Sequence, residues 1–132
     1  GQGTNVGIRF EEIKHIIDHI DDKKRVGVCI DTQHAWASGY DWRNDFDQIW
    51  DDFDNIVGMD YLVALHLNDS KSDLGSRVDR HDNIGMGKLG KETFQSFMQE
   101  KRLDHLAGYL ETPGGPEMWK PEIDVLRKLA EK

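Results

Sequence analysis

Apolar residues recur at intervals of three and four along much of the chain, which is the spacing of amphipathic helices. The pattern predicts helices over residues 10–20, 45–57 and 90–100, and a closing helix from residue 116. Gly58 suits the end of the second helix, and Pro116 suits the first turn of the last. The predicted buried faces contain Phe10, Ile13, Ile17 and Ile20; Phe46, Ile49, Trp50, Phe53, Ile56 and Val57; Phe94, Phe97 and Met98; and Trp119, Ile123, Leu126 and Leu129.

Short apolar runs separate these helices. The stretches RVGVCID, YLVALHL and LAGYLE each predict a strand, so the element order is αβαβαβα. Strands that are apolar almost throughout and alternate with helices favour a parallel sheet covered by helices, which is an α/β fold. A doubly wound sheet and a (β/α)8 barrel both agree with this order.

Composition narrows the class of protein. The 132 residues suit one domain over residues 1–132. No apolar run reaches the roughly 18 residues of a membrane span, and the opening GQGTNVGIRF lacks the features of a signal peptide. The single cysteine, Cys29, favours a reducing compartment, and we expect a cytoplasmic protein, with an organelle or the nucleus left open. The net charge of -8 argues against attraction to nucleic acid over the whole surface, but not at a local patch.

Metal-ligand residue types stand at the ends of all three predicted strands. Asp31 ends the first strand, His66 lies near the end of the second, and Glu111 ends the third. Active sites of α/β folds lie at the carboxyl ends of parallel strands. We therefore expect these three side chains to converge on one rim.

A second group of ligand types lies in the adjoining loops. His34 follows Asp31 by three residues in DTQH, so a loop or first helical turn would aim both at the same rim. Asp79 and His81 flank Arg80 and point the same way in an extended loop. Mixed imidazole and carboxylate donors favour zinc, manganese or iron, and their number suggests at least two ions.

Three segments, VGVCIDTQH, HLNDSKSDLGSRVDRH and LETPGG, closely resemble the endonuclease IV family of apurinic/apyrimidinic endonucleases. These are DNA-repair enzymes with a (β/α)8 barrel and a three-zinc site. The resemblance implies two zinc sites here: His34, Asp79 and His81 form one, and Asp31, His66 and Glu111 form the other, which lacks only a bridging carboxylate. The last three are also the expected catalytic residues. The family usually has cysteine where this chain has Gln33, a change expected to matter little because that cysteine is not a ligand.

The chain is short for the family. A (β/α)8 barrel takes about 200 residues or more, whereas three strands are predicted here. The resemblance therefore implies the C-terminal portion of a TIM barrel, with GQGTN following a strand-end glutamate of the missing N-terminal part. We expect the isolated chain to be nearly inactive, and to self-associate or to be complemented by that part.

The segment between His66 and Gly90 also collects basic residues and glycines. Following the resemblance, the glycines let the backbone approach a ligand, and the basic side chains face the phosphates of duplex DNA containing abasic sites. The basic residues are Lys71, Arg77, Arg80 and Lys88. The implied reaction is hydrolysis of the phosphodiester on the 5′ side of an abasic site, leaving a 3′-hydroxyl.

Two other interpretations remain open. A sugar isomerase or epimerase shares the barrel and holds a single metal with strand-end residues, so it needs only Asp31, His66 and Glu111. It leaves His34, Asp79, His81 and the basic loop without a role. The isolated chain is alternatively a non-catalytic partial barrel.

Overall fold

The helices and strands predicted from the sequence all occur, in the predicted order. The computed structural model describes residues 9–132, and the GQGTN segment lies outside them. The elements are α1 (Phe10–Asp18), β1 (Val28–Asp31), α2 (Thr32–Ala37), α3 (Phe46–Ile56), β2 (Leu62–His66), β3 (Asp69–Ser70), β4 (His81–Asp82), α4 (Lys91–Gln99), β5 (Ala107–Tyr109) and α5 (Pro116–Leu129). None of the helices in the described part is long and apolar enough to cross a membrane.

Three parallel strands form the main sheet, in the order β1, β2, β5. Asp31 pairs with His66, and His66 pairs with Tyr109, so the carboxyl ends of the strands lie level. One face of the sheet packs under the helices. The other face exposes more than half of Val63 and of Tyr109 to solvent. The sheet therefore has one buried face and one open face, with the predicted ligands at its carboxyl edge.

A cluster of aromatic side chains fixes the helices that carry the rim. Trp42 is buried and contacts Phe97 edge to face, with ring centroids 4.8 Å apart, and Trp50 at 5.2 Å. Such pairs each contribute about 0.5–1.5 kcal/mol beyond the area they bury. The Trp42 indole N–H also donates to the Thr32 carbonyl oxygen at 3.0 Å. Because Thr32 begins α2, the aromatic core holds this helix against β1.

Three short elements, α2, β3 and β4, go beyond the sequence prediction. Helix α2 continues directly from β1, because the Asp31 carboxylate caps it by accepting from the backbone N–H groups of Gln33 and His34. The loop after β2 contains a short antiparallel pair, β3 with β4. The loop prediction for this segment was therefore incomplete, since two short strands give no periodicity in sequence.

The buried face of α5 differs from the prediction. Leu126 is buried as expected, but Ile123 is 39% exposed and Glu122 is buried in its place. The Glu122 carboxylate accepts from the Ile84 backbone N–H at 2.7 Å and from the Thr112 hydroxyl at 2.6 Å. These hydrogen bonds turn the helix face toward the loops that carry the rim.

The carboxylate of Asp69 organises the glycine-containing loop before α4. Asp69 is fully buried and accepts backbone N–H bonds of 2.8–3.3 Å. The donors are Ser70, Gly85, Gly87, Leu89 and Gly90. A Cβ at Gly87 would lie 2.6 Å from Asp69 Oδ1, so only glycine permits this approach. These glycines therefore surround a carboxylate of the protein itself and not the external ligand that was expected from the sequence.

We expect Asp69→Asn to lower the free energy of unfolding by about 3 kcal/mol or more, because hydrogen bonds to a charged group each contribute about 1.5–3 kcal/mol. The amide would also turn an NH2 group toward backbone N–H donors. Urea denaturation followed by circular dichroism measures the change. Asp45→Asn is the control, since Asp45 is exposed and caps no backbone N–H of the described α3. Equal effects of both substitutions would contradict a role for Asp69 in holding the loop.

Candidate metal centre

Six side chains of metal-ligand type meet at the carboxyl edge of the sheet. Asp31 and His66 end β1 and β2, and Glu111 follows the end of β5 by two residues. His34 lies on α2, His81 begins β4, and Asp79 precedes it in the loop. The structure therefore brings together all six residues singled out from the sequence, although Glu111 lies beyond its strand rather than at its last position.

Asp31 occupies the middle of this arrangement. Its Oδ2 atom lies 3.5 Å from His81 Nε2, 3.7 Å from His66 Nδ1 and 4.0 Å from His34 Nδ1. Its Oδ1 atom accepts from the first N–H groups of α2, at 2.9 and 3.2 Å. Only 9% of the side chain is exposed. Capping the helix therefore fixes one carboxylate oxygen and directs the other toward three imidazoles.

The ligand atoms form two groups that share Asp31. One group is Asp31, His34 and His81, and the other is Asp31, His66 and Glu111; within each, the ligand atoms lie within 4.8 Å of one another. The family resemblance had implied that Asp31 belongs to the second group alone. Asp79 Oδ1 lies 2.8 Å from His34 Nε2 and 3.4 Å from His81 Nε2, so Asp79 adjoins the first group.

His81 carries an observation that favours a cation. Its Nε2 atom is buried and has no hydrogen-bond partner among residues 9–132. Its Nδ1 lies 3.1 Å from the Glu111 carbonyl oxygen, which accepts only, so we assign the proton to Nδ1. The Nε2 lone pair then faces the carboxylates of Asp31 and Asp79. A histidine held through one ring nitrogen by a carbonyl, with its other nitrogen facing carboxylates, is the usual arrangement of a metal ligand.

In the second group, too, an imidazole nitrogen lies close to two carboxylates. His66 Nδ1 contacts Glu111 Oε1 directly and lies 3.7 Å from Asp31 Oδ2. Two carboxylates near one imidazole nitrogen require a proton or a metal cation between them. The donor set of two carboxylates and one imidazole suits zinc and related ions. The residues present therefore fit a metal ion at each group.

The four basic residues lie exposed in the loops beside the rim. Lys71, Arg77 and Arg80 belong to the loop between β3 and β4, and Lys88 to the loop before α4. Backbone bonds attach the first loop to α2, because the N–H of Arg77 donates to the Ala37 carbonyl oxygen at 2.9 Å. Lys88 Nζ lies 3.5 Å from the Asp73 carboxylate. The loops that carry Asp79 and His81 thus also carry exposed basic residues, although the chain is acidic overall.

Gln33 has a structural role that the sequence analysis did not anticipate. It is fully buried, and its Nε2 donates to the Val78 carbonyl oxygen at 2.9 Å and lies 3.2 Å from the hydroxyls of Ser70 and Ser72. These contacts tie α2 to the loop that leads into Asp79. The Gln33 backbone N–H donates to Asp31 Oδ1, and its side-chain amide helps place the loop that carries Asp79.

The thiol of Cys29 is not poised as a nucleophile. Partial burial raises its pKa, and the charges of Asp31 and Glu111 raise the pKa further. The thiol therefore stays protonated at neutral pH, as expected for a cysteine without a neighbouring cation.

Comparison with known proteins adds to this geometry. The pattern of the xylose isomerase-like TIM barrel family matches residues 1–129. The probable endonuclease 4 of Phocaeicola vulgatus is 52% identical over 127 residues, which is 96% of this chain and 45% of that protein. The probable endonuclease 4 of Methanosphaera stadtmanae is 51% identical over 129 residues, 98% of this chain and 47% of that protein.

A solved structure agrees with these matches. Endonuclease IV from Thermus thermophilus superposes with a TM-score of 0.85 at 39% identity, over 98% of this chain and 46% of that one. The predicted fold class, part of a TIM barrel with parallel strands alternating with helices, is thereby confirmed. The chain spans a little under half the length of the relatives it matches.

The shared carboxylate leads to a prediction about metal binding. We expect Asp31→Asn, which keeps a helix-capping side chain, to weaken Zn²⁺ binding at both groups by at least about tenfold, since even outer-shell substitutions typically cost this much. His66→Ala should weaken the group with Glu111 alone, and His34→Ala the group with His81 alone. Isothermal titration calorimetry resolves the two affinities.

His15→Ala is the matched control for these variants. His15 lies exposed on α1, with its ring tilted against that of His19, and it belongs to neither ligand group. Its replacement should leave both Zn²⁺ affinities unchanged. An effect of Asp31→Asn confined to one group would show that the two groups do not share this carboxylate.

Proposed function

Since the chain belongs to the xylose isomerase-like TIM barrel family and resembles endonuclease IV, we propose that a barrel containing these residues is a DNA-repair endonuclease. The reaction is hydrolysis of the phosphodiester on the 5′ side of an abasic site in duplex DNA, leaving a 3′-hydroxyl. One observation carries the proposal: two ligand groups converge on Asp31, and the adjoining loops carry exposed basic residues.

Zinc is the proposed ion at both groups. His34, Asp79 and His81 hold one ion, Asp31, His66 and Glu111 hold the other, and Asp31 borders both. When bound, zinc polarises phosphoryl oxygens and acidifies water. The two carboxylates Asp31 and Glu111 reduce the net charge of the centre and set the spacing between the groups. His81 keeps its proton at Nδ1 on the Glu111 carbonyl oxygen and presents Nε2 to the centre. A third ion of the family pattern takes its ligands from outside this segment.

Duplex DNA is the proposed partner, in a reducing, cytoplasmic compartment. The side chains of Lys71, Arg77, Arg80 and Lys88 offer positive charge to phosphates along the rim, while the rest of the acidic surface repels DNA. Turning a nucleotide out of the duplex costs less where no base pair must be broken. An abasic site is therefore favoured over intact DNA at the centre.

A sugar isomerase or epimerase is the second candidate. It is favoured by one observation, since Asp31, His66 and Glu111 form a group close enough to hold a single metal by themselves. This candidate assigns no role to His34, Asp79 or His81, and the buried Nε2 of His81 is left unexplained. The third interpretation, a non-catalytic partial barrel, concerns the isolated chain and not a complete barrel that contains it.

The first test uses a chimera in which this chain replaces the matching 129-residue segment of the Methanosphaera stadtmanae relative. We expect the chimera to cut a duplex oligonucleotide at a single abasic site, to leave the same duplex with an intact base uncut, and to lose activity with a chelator. Gel electrophoresis of the labelled strand measures cleavage. Equal cleavage of both duplexes, or turnover of a ketose without DNA cleavage, would contradict the proposal.

The isolated chain is the second arm of this test. Within the described residues, β1 and β5 each lack a strand on one side, and the open face of the sheet exposes Val63. We expect this chain to be nearly inactive on abasic DNA and to self-associate, because unpaired strand edges pair with other chains. Sedimentation velocity measures the association state, and the cleavage assay measures activity in the same sample. Full activity of a monomer would show that these residues alone suffice.

The second test concerns the basic residues. Replacing Arg77, Arg80 or Lys88 with alanine in the chimera should weaken binding to abasic DNA and reduce the slope of log affinity against log salt by about one unit each. Fluorescence anisotropy at several salt concentrations measures the slope. Lys128→Ala, in the last turn of α5, is the control and should leave it unchanged. An unchanged slope for the three loop variants would assign those residues to structural roles.

A further inference from the structure

Asn68 connects two residues of the candidate metal centre through a single side chain. It lies two residues beyond the end of β2 and is fully buried. Its Nδ2 donates to Asp31 Oδ2 at 3.0 Å, and its Oδ1 accepts from the Glu111 backbone N–H at 2.8 Å. One amide therefore joins the residue that ends β1 to the residue that follows β5.

The chemistry of both partners fixes the orientation of this amide. A backbone N–H only donates, so the Asn68 oxygen must face Glu111. An ionised carboxylate only accepts, so the NH2 group must face Asp31. Exchanging the oxygen and nitrogen of the amide would break both hydrogen bonds. The NH2 group would then face a backbone N–H, and the amide oxygen would face a carboxylate oxygen. The asparagine thus matches a donor on one side and an acceptor on the other.

The backbone of Asn68 is held as firmly as its side chain. The buried hydroxyl of Thr32 donates to the Asn68 carbonyl oxygen at 2.7 Å, and it accepts from the Asn68 N–H at 2.9 Å. Thr32 is the first residue of α2. The backbone of Asn68 is therefore fixed relative to the helix that Asp31 caps, and this fixes the position from which its side-chain amide extends.

Glu111 depends on this contact for its position. It lies outside β5, and its side chain is half exposed. Its N–H is held by Asn68, and its carbonyl oxygen accepts from His81 Nδ1. Hydrogen bonds thereby hold the peptide groups on both sides of Glu111. The backbone position of the residue is fixed although its side chain is half exposed.

We propose that Asn68 is a positioning residue of the metal centre: its amide sets the separation of Asp31 from Glu111 and the direction of Asp31 Oδ2. It acts through these two residues and is not itself a ligand. The inference rests on the proposed metal-binding role of Asp31, His66 and Glu111. It goes beyond that role by naming the contact that fixes the position of Asp31, at the end of β1, relative to Glu111, which follows β5.

The test measures Co²⁺ binding by visible absorption in the full chain, in a His34→Ala background that isolates the group with His66 and Glu111. We expect Asn68→Ala to raise the Co²⁺ dissociation constant about 10- to 100-fold, the usual cost of removing an outer-shell partner. The ligand-field bands should also change in position and intensity, because the carboxylates no longer hold their geometry. A purely structural role would leave these bands unchanged.

Thr93→Ala provides the matched control. The buried Thr93 hydroxyl donates to the Leu89 carbonyl oxygen at the start of α4, so its loss also removes a buried hydrogen bond. We expect this variant to lose stability but to keep the Co²⁺ affinity and spectrum of its parent. Asn68→Leu is a second probe, because its branched side chain has the same number of heavy atoms without a donor or acceptor. It should reproduce the effect of Asn68→Ala.

The outcomes separate this inference from the proposed function. If the parent binds Co²⁺ and either folded Asn68 variant keeps its affinity and spectrum, the positioning role is refuted while the metal centre stands. If the parent binds no Co²⁺, the metal-binding role and the inference fail together. Weakened binding with altered bands in the Asn68 variants, against an unaltered Thr93→Ala, supports the inference.

Discussion

The parallel pairing of β1 with β2 is the constraint on which the rim depends. It sets Asp31 beside His66, and the next pairing sets His66 beside Tyr109, so that Glu111 emerges two residues further along at the same edge. Side chains more than thirty residues apart in sequence are thereby brought within ligand distance. Parallel strands with helical crossovers achieve this because every strand ends on the same side of the sheet.

Buried polar residues then fix the positions of the ligands and loops at this edge of the sheet. Asn68, Asp69 and Ser70 are all fully buried, directly after an apolar strand. Each is satisfied by hydrogen bonds to a different part of the molecule: the ligands, the glycine-containing loop and the loop held by Gln33. Because a buried polar group without partners is costly, such a network tolerates few alternative arrangements. The loop conformation is therefore specified by the same three residues that follow β2.

Much of the architecture was accessible from the sequence. Helical spacing identified α1, α3, α4 and α5, and apolar runs identified the three strands of the parallel sheet, with differences of a few residues at their ends. The six residues of the rim were singled out because they are metal-ligand types that stand at strand ends or in the loops just beyond them. Their role in binding metal is a proposal. The convergence of Asp31, His66 and Glu111 on one edge follows from the parallel order of the strands, whereas the placement of the other three depends on how α2 and the loops pack. Ile123 was misplaced because periodicity cannot show that Glu122 has buried partners on another loop.

Tertiary structure alone decided how these residues relate to one another. Spacing along a strand or helix determines which face a side chain occupies, because bond geometry repeats locally. The distance between elements depends on packing and on hydrogen bonds between residues far apart in sequence. Asp31 borders both ligand groups only because the cap of α2 turns its Oδ2 toward three histidines, and Asn68 meets Glu111 only because β5 pairs beside β2. The sequence thus determined the elements and the chemical types at their ends, while the fold decided which carboxylate is shared and which amide aligns it.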